Sequence, residues 1–152
     1  MSVRLVFLDA EPLGLLAHPR GGEAARRCRE WAEGLLRSGV RLFVAEVTDF
    51  EVRRELASRG ATAGLRRLDE LVGALDFAPI TTPAMIRASG LWAEARRRGR
   101  PTAGPQSLDA DVILAAQALT AAGEGGSLTI ATPNVRHLGL FTDARPWGEI
   151  RA

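Results

Sequence analysis

Three acidic residues stand where a globular chain has little reason to place a negative charge. Asp9 directly follows the apolar residues 6–8 in "VFLDAEPLGLL". Glu51 lies in "EVTDFEVRREL", shortly after a second apolar run, and Asp111 lies in "LDADVILAAQAL", directly ahead of an apolar segment. Burying a carboxylate is costly unless a partner compensates its charge. Each of the three carboxylates therefore needs a partner that compensates its charge, and the sequence should indicate what that partner is.

A divalent cation is one such partner. Two carboxylates about 4 Å apart repel each other by about 4 kcal/mol at an effective dielectric constant of 20, so a cluster needs a proton or a cation. Oxygen ligands without histidine or thiolate suit Mg²⁺ or Mn²⁺. Such a cation can activate water and stabilise charge on a phosphodiester, which is nuclease chemistry that needs no nucleophilic side chain.

Each acid also has a local explanation. Asp9 could cap a helical turn that follows it, and Thr48 with Glu51 matches the capping box of a Thr followed three residues later by Glu. Asp109 and Asp111 are both candidates for the cap or first turn of the next helix, and we expect only one of them to enter a site. These explanations are local, and none accounts for our expectation that all three acids lie at equivalent junctions, where a strand is followed by a helix.

The elements that must position these acids alternate along the chain. We predict strands at 3–9, 40–45, 75–80 and 127–131, and a last edge strand in "RPWGEI". We predict helices at 23–38, 48–59, 61–75, from Thr82 onward, 110–122 and 133–138. A turn is predicted from Glu11 and a loop at 99–107. Thr82 is the predicted N-cap of its helix, which carries Met85 and Trp92 inward. Strands alternating with helices predict an α/β fold, a parallel sheet covered on both faces. In such folds ligands bind beyond the carboxyl ends of the strands.

Composition restricts the class of protein. The 152 residues are 46% hydrophobic and suit one domain spanning 1–152. We find no segment that could cross a membrane and no secretory signal, because Asp9 interrupts the N-terminal apolar run, and so we expect a cytoplasmic protein. The lone Cys28 is expected to be a buried small hydrophobe. All 20 basic residues are arginines, which suits either phosphate contacts or a genome that favours arginine codons.

The ordered motifs resemble the PIN-domain family, and in particular the VapC-like ribonuclease toxins of toxin–antitoxin modules. The matching pieces are "VFLDAEPLGLL", "VAEVTDFEVRREL", "LDADVILAAQAL" and "IATPNVRHL", which together cover most of the chain. The resemblance implies a three-layer α/β/α sandwich with a parallel sheet of about five strands. It also implies an acidic Mg²⁺ or Mn²⁺ site, single-stranded or structured RNA as the substrate, a cognate antitoxin and a homodimer.

Carried over position by position, the resemblance makes Asp9, Glu51 and Asp111 the metal-binding and catalytic acids, with Asp109 as an additional ligand. The fourth family position, often an aspartate, is Asn134 here, which can accept hydrogen bonds but carries no charge.

Polar and basic residues complete the prediction. Thr132 is expected to orient a water molecule or a phosphate oxygen, and His137 to lie near the site with a structural role. Arg53, Arg54 and Arg98 are the predicted phosphate contacts, and their alternative is a solvated or antitoxin-binding face.

Other functions of an α/β chain fit less well. The chain has no lysine, which argues against a haloacid-dehalogenase-type phosphatase, a receiver domain and a P-loop NTPase. It has no "GxSxG" motif of a serine hydrolase. The alternative that stays open is a PIN-like protein that binds RNA or an antitoxin without cutting, and Asn134 is the feature that supports it.

Overall fold

The protein is described from a computed structural model, which covers the backbone of residues 3–99 and 105–152 and the side chains of 3–99 and 109–152. Five strands form one sheet: β1 Arg4–Leu8, β2 Arg41–Ala45, β3 Asp76–Ala78, β4 Ser127–Ala131 and β5 Ala144–Arg145. The helices are α1 Ala10–Ala17, α2 Glu23–Arg37, α3 Glu46–Ser58, α4 Thr62–Ala74, α5 Thr82–Arg97, α6 Pro105–Ala122 and α7 Val135–Leu138, and a 3₁₀ turn spans Trp147–Glu149.

All strand pairs are parallel, in the order β3-β2-β1-β4-β5. β1 lies at the centre, with Val6 aligned to Leu42 on one side and to Thr129 on the other. Because every strand runs in the same direction, all the carboxyl ends share one edge. The predicted α/β class with a five-stranded parallel sheet is confirmed.

Alternation along β1 divides the core into two layers. Val6 and Leu8 pack with α1, α2 and α4, whereas Leu5 and Phe7 pack with α6 and α7 on the opposite face. Successive side chains of a strand point to opposite faces, so a strand that is buried on both sides is apolar throughout. This pattern makes the three-layer α/β/α sandwich that the sequence predicts, and Cys28 is buried in the first layer as expected.

Several predicted boundaries are wrong, each for a physical reason. Residues 10–17 form a helix rather than a turn. Pro12 does not prevent this helix, because it lies in the first helical turn, where a proline is tolerated. Helix α6 begins at Pro105, inside the predicted loop at 99–107, of which residues 100–104 lie outside the described part. Asp109 and Asp111 consequently occupy the second turn of α6, not its cap or first turn.

Helix α5 also departs from its prediction. Its N-cap is Thr81, whose hydroxyl accepts the N–H of Ala84, and not Thr82. Met85 and Trp92 are 40% and 37% exposed rather than buried, because small residues, among them Ala88, make the inward face against α6. The C-terminal segment supplies only the two-residue strand β5 before the 3₁₀ turn.

Helix α3 begins at Glu46, so the capping box predicted for Thr48 and Glu51 is wrong. The Thr48 hydroxyl is buried and has no hydrogen-bond partner among the described residues. The start of α3 is instead satisfied from α6, where the Gln117 carbonyl Oε1 accepts the N–H of Val47 at 3.3 Å. The Gln117 amide donates to the carbonyl of Ala78 at 2.7 Å. One buried side chain thus joins α6 to the start of α3 and to the end of β3.

We expect Gln117→Leu to lower the free energy of unfolding by about 3 kcal/mol, because it removes two hydrogen bonds and leaves a buried N–H and a buried C=O unpaired. Urea denaturation followed by circular dichroism measures the loss. Thr120→Val on the exposed side of the same helix is the matched control and should change stability by less than about 0.5 kcal/mol. Equal stability of Gln117→Leu and the wild type would contradict the proposed role of Gln117.

Candidate functional site

Asp9 lies directly beyond β1, at the carboxyl edge of the sheet, and is 7% exposed. It is the N-cap of α1, and its Oδ1 accepts the N–H of Ala10 at 2.8 Å. Its Oδ2 accepts the hydroxyl of Thr132 at 2.7 Å. These contacts fix the orientation of the carboxylate, and the capping role of Asp9 is compatible with its predicted role in a site.

Glu51 lies in the second turn of α3, the helix that follows β2. Burial raises its pKa first, the negative charge of Asp9 raises it further, and the positive charge of Arg54 acts in the opposite direction. Asp9 and Arg54 therefore both interact electrostatically with Glu51.

Asp111 reaches the same edge from α6. This helix leads into β4, so it must run antiparallel to the strands and begin at their carboxyl edge. Asp111 does not follow a strand, and the expectation that all the acids lie at strand-to-helix junctions is wrong for it. Burial, followed by the charges of Asp9 and Glu51, raises the pKa of Asp111 to about 7. Its Oδ2 is buried without a hydrogen-bond partner among the described residues.

Three carboxylates from distant parts of the chain thus act on one another at one edge of the sheet. In the described part of the chain, however, no three His, Cys, Asp or Glu side chains are close enough to hold a metal ion directly. The unpaired Asp111 oxygen and the all-oxygen donor set fit Mg²⁺ or Mn²⁺, because Mg²⁺ usually retains several waters and binds only one or two carboxylates. The metal assignment of Asp9, Glu51, Asp111 and Asp109 stays a prediction.

Thr132 is fully buried and connects two parts of this edge. Its hydroxyl donates to Asp9 and accepts the N–H of Asn134 at 2.9 Å. The contact that the structure gives Thr132 is therefore with Asp9, and its predicted contact with substrate stays a prediction. The Asn134 side chain is exposed and caps nothing on α7. His137 Nδ1 is 4.0 Å from Asp111 Oδ2, which is near the site but too far for a hydrogen bond.

The three predicted phosphate-binding arginines have different surroundings. Arg53 donates twice to Asp49, at 3.1 and 3.0 Å, and pairs with Asp69 at 2.8 Å. Arg98 pairs with Glu94 at 2.5 Å. Arg54 has no ion pair within the described residues, and its guanidinium lies 5.1 Å from the ring centroid of Phe50. Of the three, Arg54 is the arginine without a close ion pair in the described residues, although its charge acts on Glu51.

Asp109 and Asp111 diverge as their spacing on a helix requires. Asp111 is 7% exposed, whereas Asp109 is exposed and lines a cavity of about 450 Å³ between α3 and α6. The same cavity is lined by Glu51 and Arg54. The sequence did not indicate Gln117, which holds the start of α3, or Phe50, which also lines this cavity.

Comparison with known proteins supports the architecture. Neither a protein-family model nor a curated protein matches the sequence. Among solved structures, the chain is similar to VapBC2 from Rickettsia felis bound to a DNA fragment of its promoter, with 12% identity and a TM-score of 0.70 over 94% of this chain and 98% of the other. It is also similar to VapBC-1 from nontypeable Haemophilus influenzae, with 17% identity and a TM-score of 0.67 over 95% and 99%.

A third similar structure is DNA-bound VapBC from Salmonella typhimurium, with 18% identity and a TM-score of 0.66 over 95% of this chain and 98% of the other. Identities this low carry the fold and not the activity. The chain therefore resembles, in its fold, the PIN-domain VapC chain of these complexes.

Proposed function

We propose that this protein is a Mg²⁺- or Mn²⁺-dependent endoribonuclease, the toxin component of a toxin–antitoxin module. The observation that carries the proposal is the gathering of Asp9, Glu51 and Asp111 at the carboxyl edge of the sheet, where burial first, and then the charges of Asp9 and Glu51, raise the pKa of Asp111 to about 7. A site that gathers mutually repelling carboxylates is stabilised by a cation. The VapC-like fold supports the same chemistry.

In this proposal Asp9, Glu51 and Asp111 would hold the divalent cation, one or two of them directly and the rest through its water molecules. The cation, when bound, would supply an activated water and neutralise charge on the scissile phosphate. Thr132 holds Asp9 in one orientation through its hydroxyl. Arg54 contacts a phosphate of the RNA beside Glu51. Arg53 instead pairs with Asp49 on its own helix and with Asp69 on α4, and the second pair connects α3 to α4.

The proposed partners follow from the neighbours. Those structures are VapBC complexes, which supports an antitoxin as a partner of this chain. We propose in addition a homodimer and a cytoplasmic location. None of the described helices is long and apolar enough to span a bilayer.

The decisive experiment incubates the purified protein with 5′-labelled RNA in Mn²⁺, in Mg²⁺ and in EDTA, and resolves the products on a denaturing gel. We expect internal cleavage products with either cation and none in EDTA. RNA that stays intact under all three conditions overturns the nuclease proposal.

A second function is favoured by one observation, the uncharged and exposed Asn134 at the fourth family position. It is RNA or antitoxin binding without cleavage. A native gel in EDTA separates the two functions. Protein that shifts RNA in EDTA and never cleaves it with Mn²⁺ is a binding module.

No membrane or small-molecule function has comparable support. A second cavity of about 350 Å³ lies between α5 and α6, lined mainly by apolar side chains such as Met85, Trp92 and Ile113. Asp109 lies on its border, and the three interacting acids do not line it. Among the described residues, this cavity lacks a cluster of charged side chains like the one at the carboxyl edge of the sheet.

A further inference from the structure

The cavity between α3 and α6 combines an exposed aromatic ring with a charged rim. Phe50 is 58% exposed, although burying a Phe side chain is worth about 1.5–3 kcal/mol. Phe50 and Arg54 are four residues apart on α3 and so lie on one face of the helix. The guanidinium lies over the ring, and both residues line the cavity with Glu51.

From this arrangement we infer that the cavity binds one unpaired nucleobase of the RNA, next to the phosphodiester that is cut. The base stacks on the face of the Phe50 ring that Arg54 does not cover, and Arg54 binds the adjoining phosphate. The inference rests on the proposed ribonuclease function and adds a specificity residue, Phe50, through which the site would distinguish an unpaired base from a paired one.

The charges of the cavity favour a base inside it and a phosphate only at its rim. Glu51 and Asp109 both line the cavity, and their carboxylates disfavour a phosphate within it. A nucleobase is uncharged and offers N–H donors, which carboxylates accept. The volume of about 450 Å³ is in the range of small-ligand sites. Arg54 supplies the positive charge that a neighbouring phosphate requires.

Single-stranded RNA follows from the geometry of stacking. A base can lie against an aromatic side chain only when it is splayed out of a duplex, as in loops and single strands. Stacking of a base on an aromatic side chain is tolerant of sequence, and a nearby arginine adds a cation–π contribution. The site would therefore select unpaired RNA without reading one particular base.

The test measures binding of a fluorescein-labelled 12-nucleotide RNA pool of random sequence, and of a duplex of the same length, by fluorescence anisotropy in EDTA. We expect Phe50→Ala and Phe50→Leu to weaken single-strand binding about tenfold. Phe50→Trp should bind within about twofold of the wild type, because it keeps a ring. Ile86→Ala on α5, which removes a side chain that is 68% exposed, is the matched control and should change nothing. Duplex binding should be weak and unaffected by Phe50→Ala.

The same variants separate stacking from chemistry in the cleavage assay. We expect Phe50→Ala to raise KM about tenfold and to change kcat much less, since stacking on the ring is lost from the ground state and the transition state together. An oligonucleotide with an abasic site at the position 5′ or 3′ of the cut should show the same loss with the wild type, and no additional loss with Phe50→Ala.

The outcomes that overturn the inference differ from those that overturn the nuclease proposal. Unchanged RNA affinity in Phe50→Ala, with wild-type cleavage intact, removes the base site and leaves the nuclease proposal standing. Unchanged RNA affinity with lost self-association in sedimentation assigns Phe50 to a protein interface and also removes the base site. A wild type that neither binds nor cleaves RNA overturns both.

Discussion

Asp9→Asn should reduce Mn²⁺-dependent RNA cleavage by at least about a hundredfold while the protein stays folded. Altering residues around a metal ligand already costs about 10- to 100-fold in affinity or activity, and this change removes the charge of a proposed ligand itself. The fold should survive because Asn is a good N-cap residue and can still accept the N–H of Ala10. Initial cleavage rates at saturating Mn²⁺ measure the loss, and far-UV circular dichroism checks the fold.

Asp76→Asn is the matched control for Asp9→Asn. Asp76 is the first residue of the outermost strand β3, where it aligns with Phe43 in the middle of β2 and pairs with Arg41 at 2.9 Å. That exposed pair contributes at most about 1 kcal/mol to stability, and cleavage by this variant should stay within about twofold of the wild type. Normal turnover by Asp9→Asn would show that the site is wrongly assigned, and equal loss in Asp76→Asn would show that the loss is not specific to the proposed site.

The sequence predicted the sheet well because strand physics is local. The apolar runs 40–45 and 127–131 stop where polar residues begin, and the structure ends β2 at Ala45 and β4 at Ala131. Helix starts were predicted less well, because they depend on partners elsewhere in the chain. The first turn of α3 is satisfied by Gln117, about 70 residues away, which no local capping pattern could indicate.

The same distinction applies to the site. That Asp9 and Glu51 would share an edge followed from the common direction of the strands, since each comes after a strand. The position of Asp111 depends on α6 running antiparallel to the strands. Local sequence patterns do not indicate the direction of a helix relative to the sheet. The hydrogen bond from the Thr132 hydroxyl to Asp9 and the ion pair of Arg53 with Asp69 on α4 are tertiary contacts that spacing alone does not encode.

Asp111→Asn should make the metal-free protein more stable at pH 8, by on the order of 2–4 kcal/mol, while it abolishes cleavage. The pKa of Asp111 is raised from 3.8 to about 7 in the folded protein, chiefly by burial and then by Asp9 and Glu51. A tenfold change in the affinity of a carboxylate for its proton corresponds to about 1.4 kcal/mol. Below about pH 4 the carboxyl is protonated in both the folded and the unfolded chain, so it causes no penalty.

Between about pH 4 and pH 7 the folded chain holds the Asp111 proton and the unfolded chain releases it, so the wild type loses stability as the pH rises. The raised pKa of Glu51 acts in the same direction. An asparagine at 111 cannot ionise, and so the variant does not show the part of the stability loss that Asp111 causes. Urea denaturation in EDTA at pH 4.5, 6 and 8 measures it as the difference between the two proteins, and Asp76→Asn should follow the wild-type profile.

Divalent cation should reverse the order of the two proteins. Mn²⁺ at about 100 times its Kd adds about 2.7 kcal/mol to a protein that binds it only when folded, so the wild type at pH 8 should gain a stability that Asp111→Asn does not. The gain should fall toward pH 5, where protons compete for the carboxylate. A wild type whose stability neither declines from pH 4.5 to pH 8 in EDTA relative to Asp111→Asn nor rises with Mn²⁺ would show that these acids do not form a cation site.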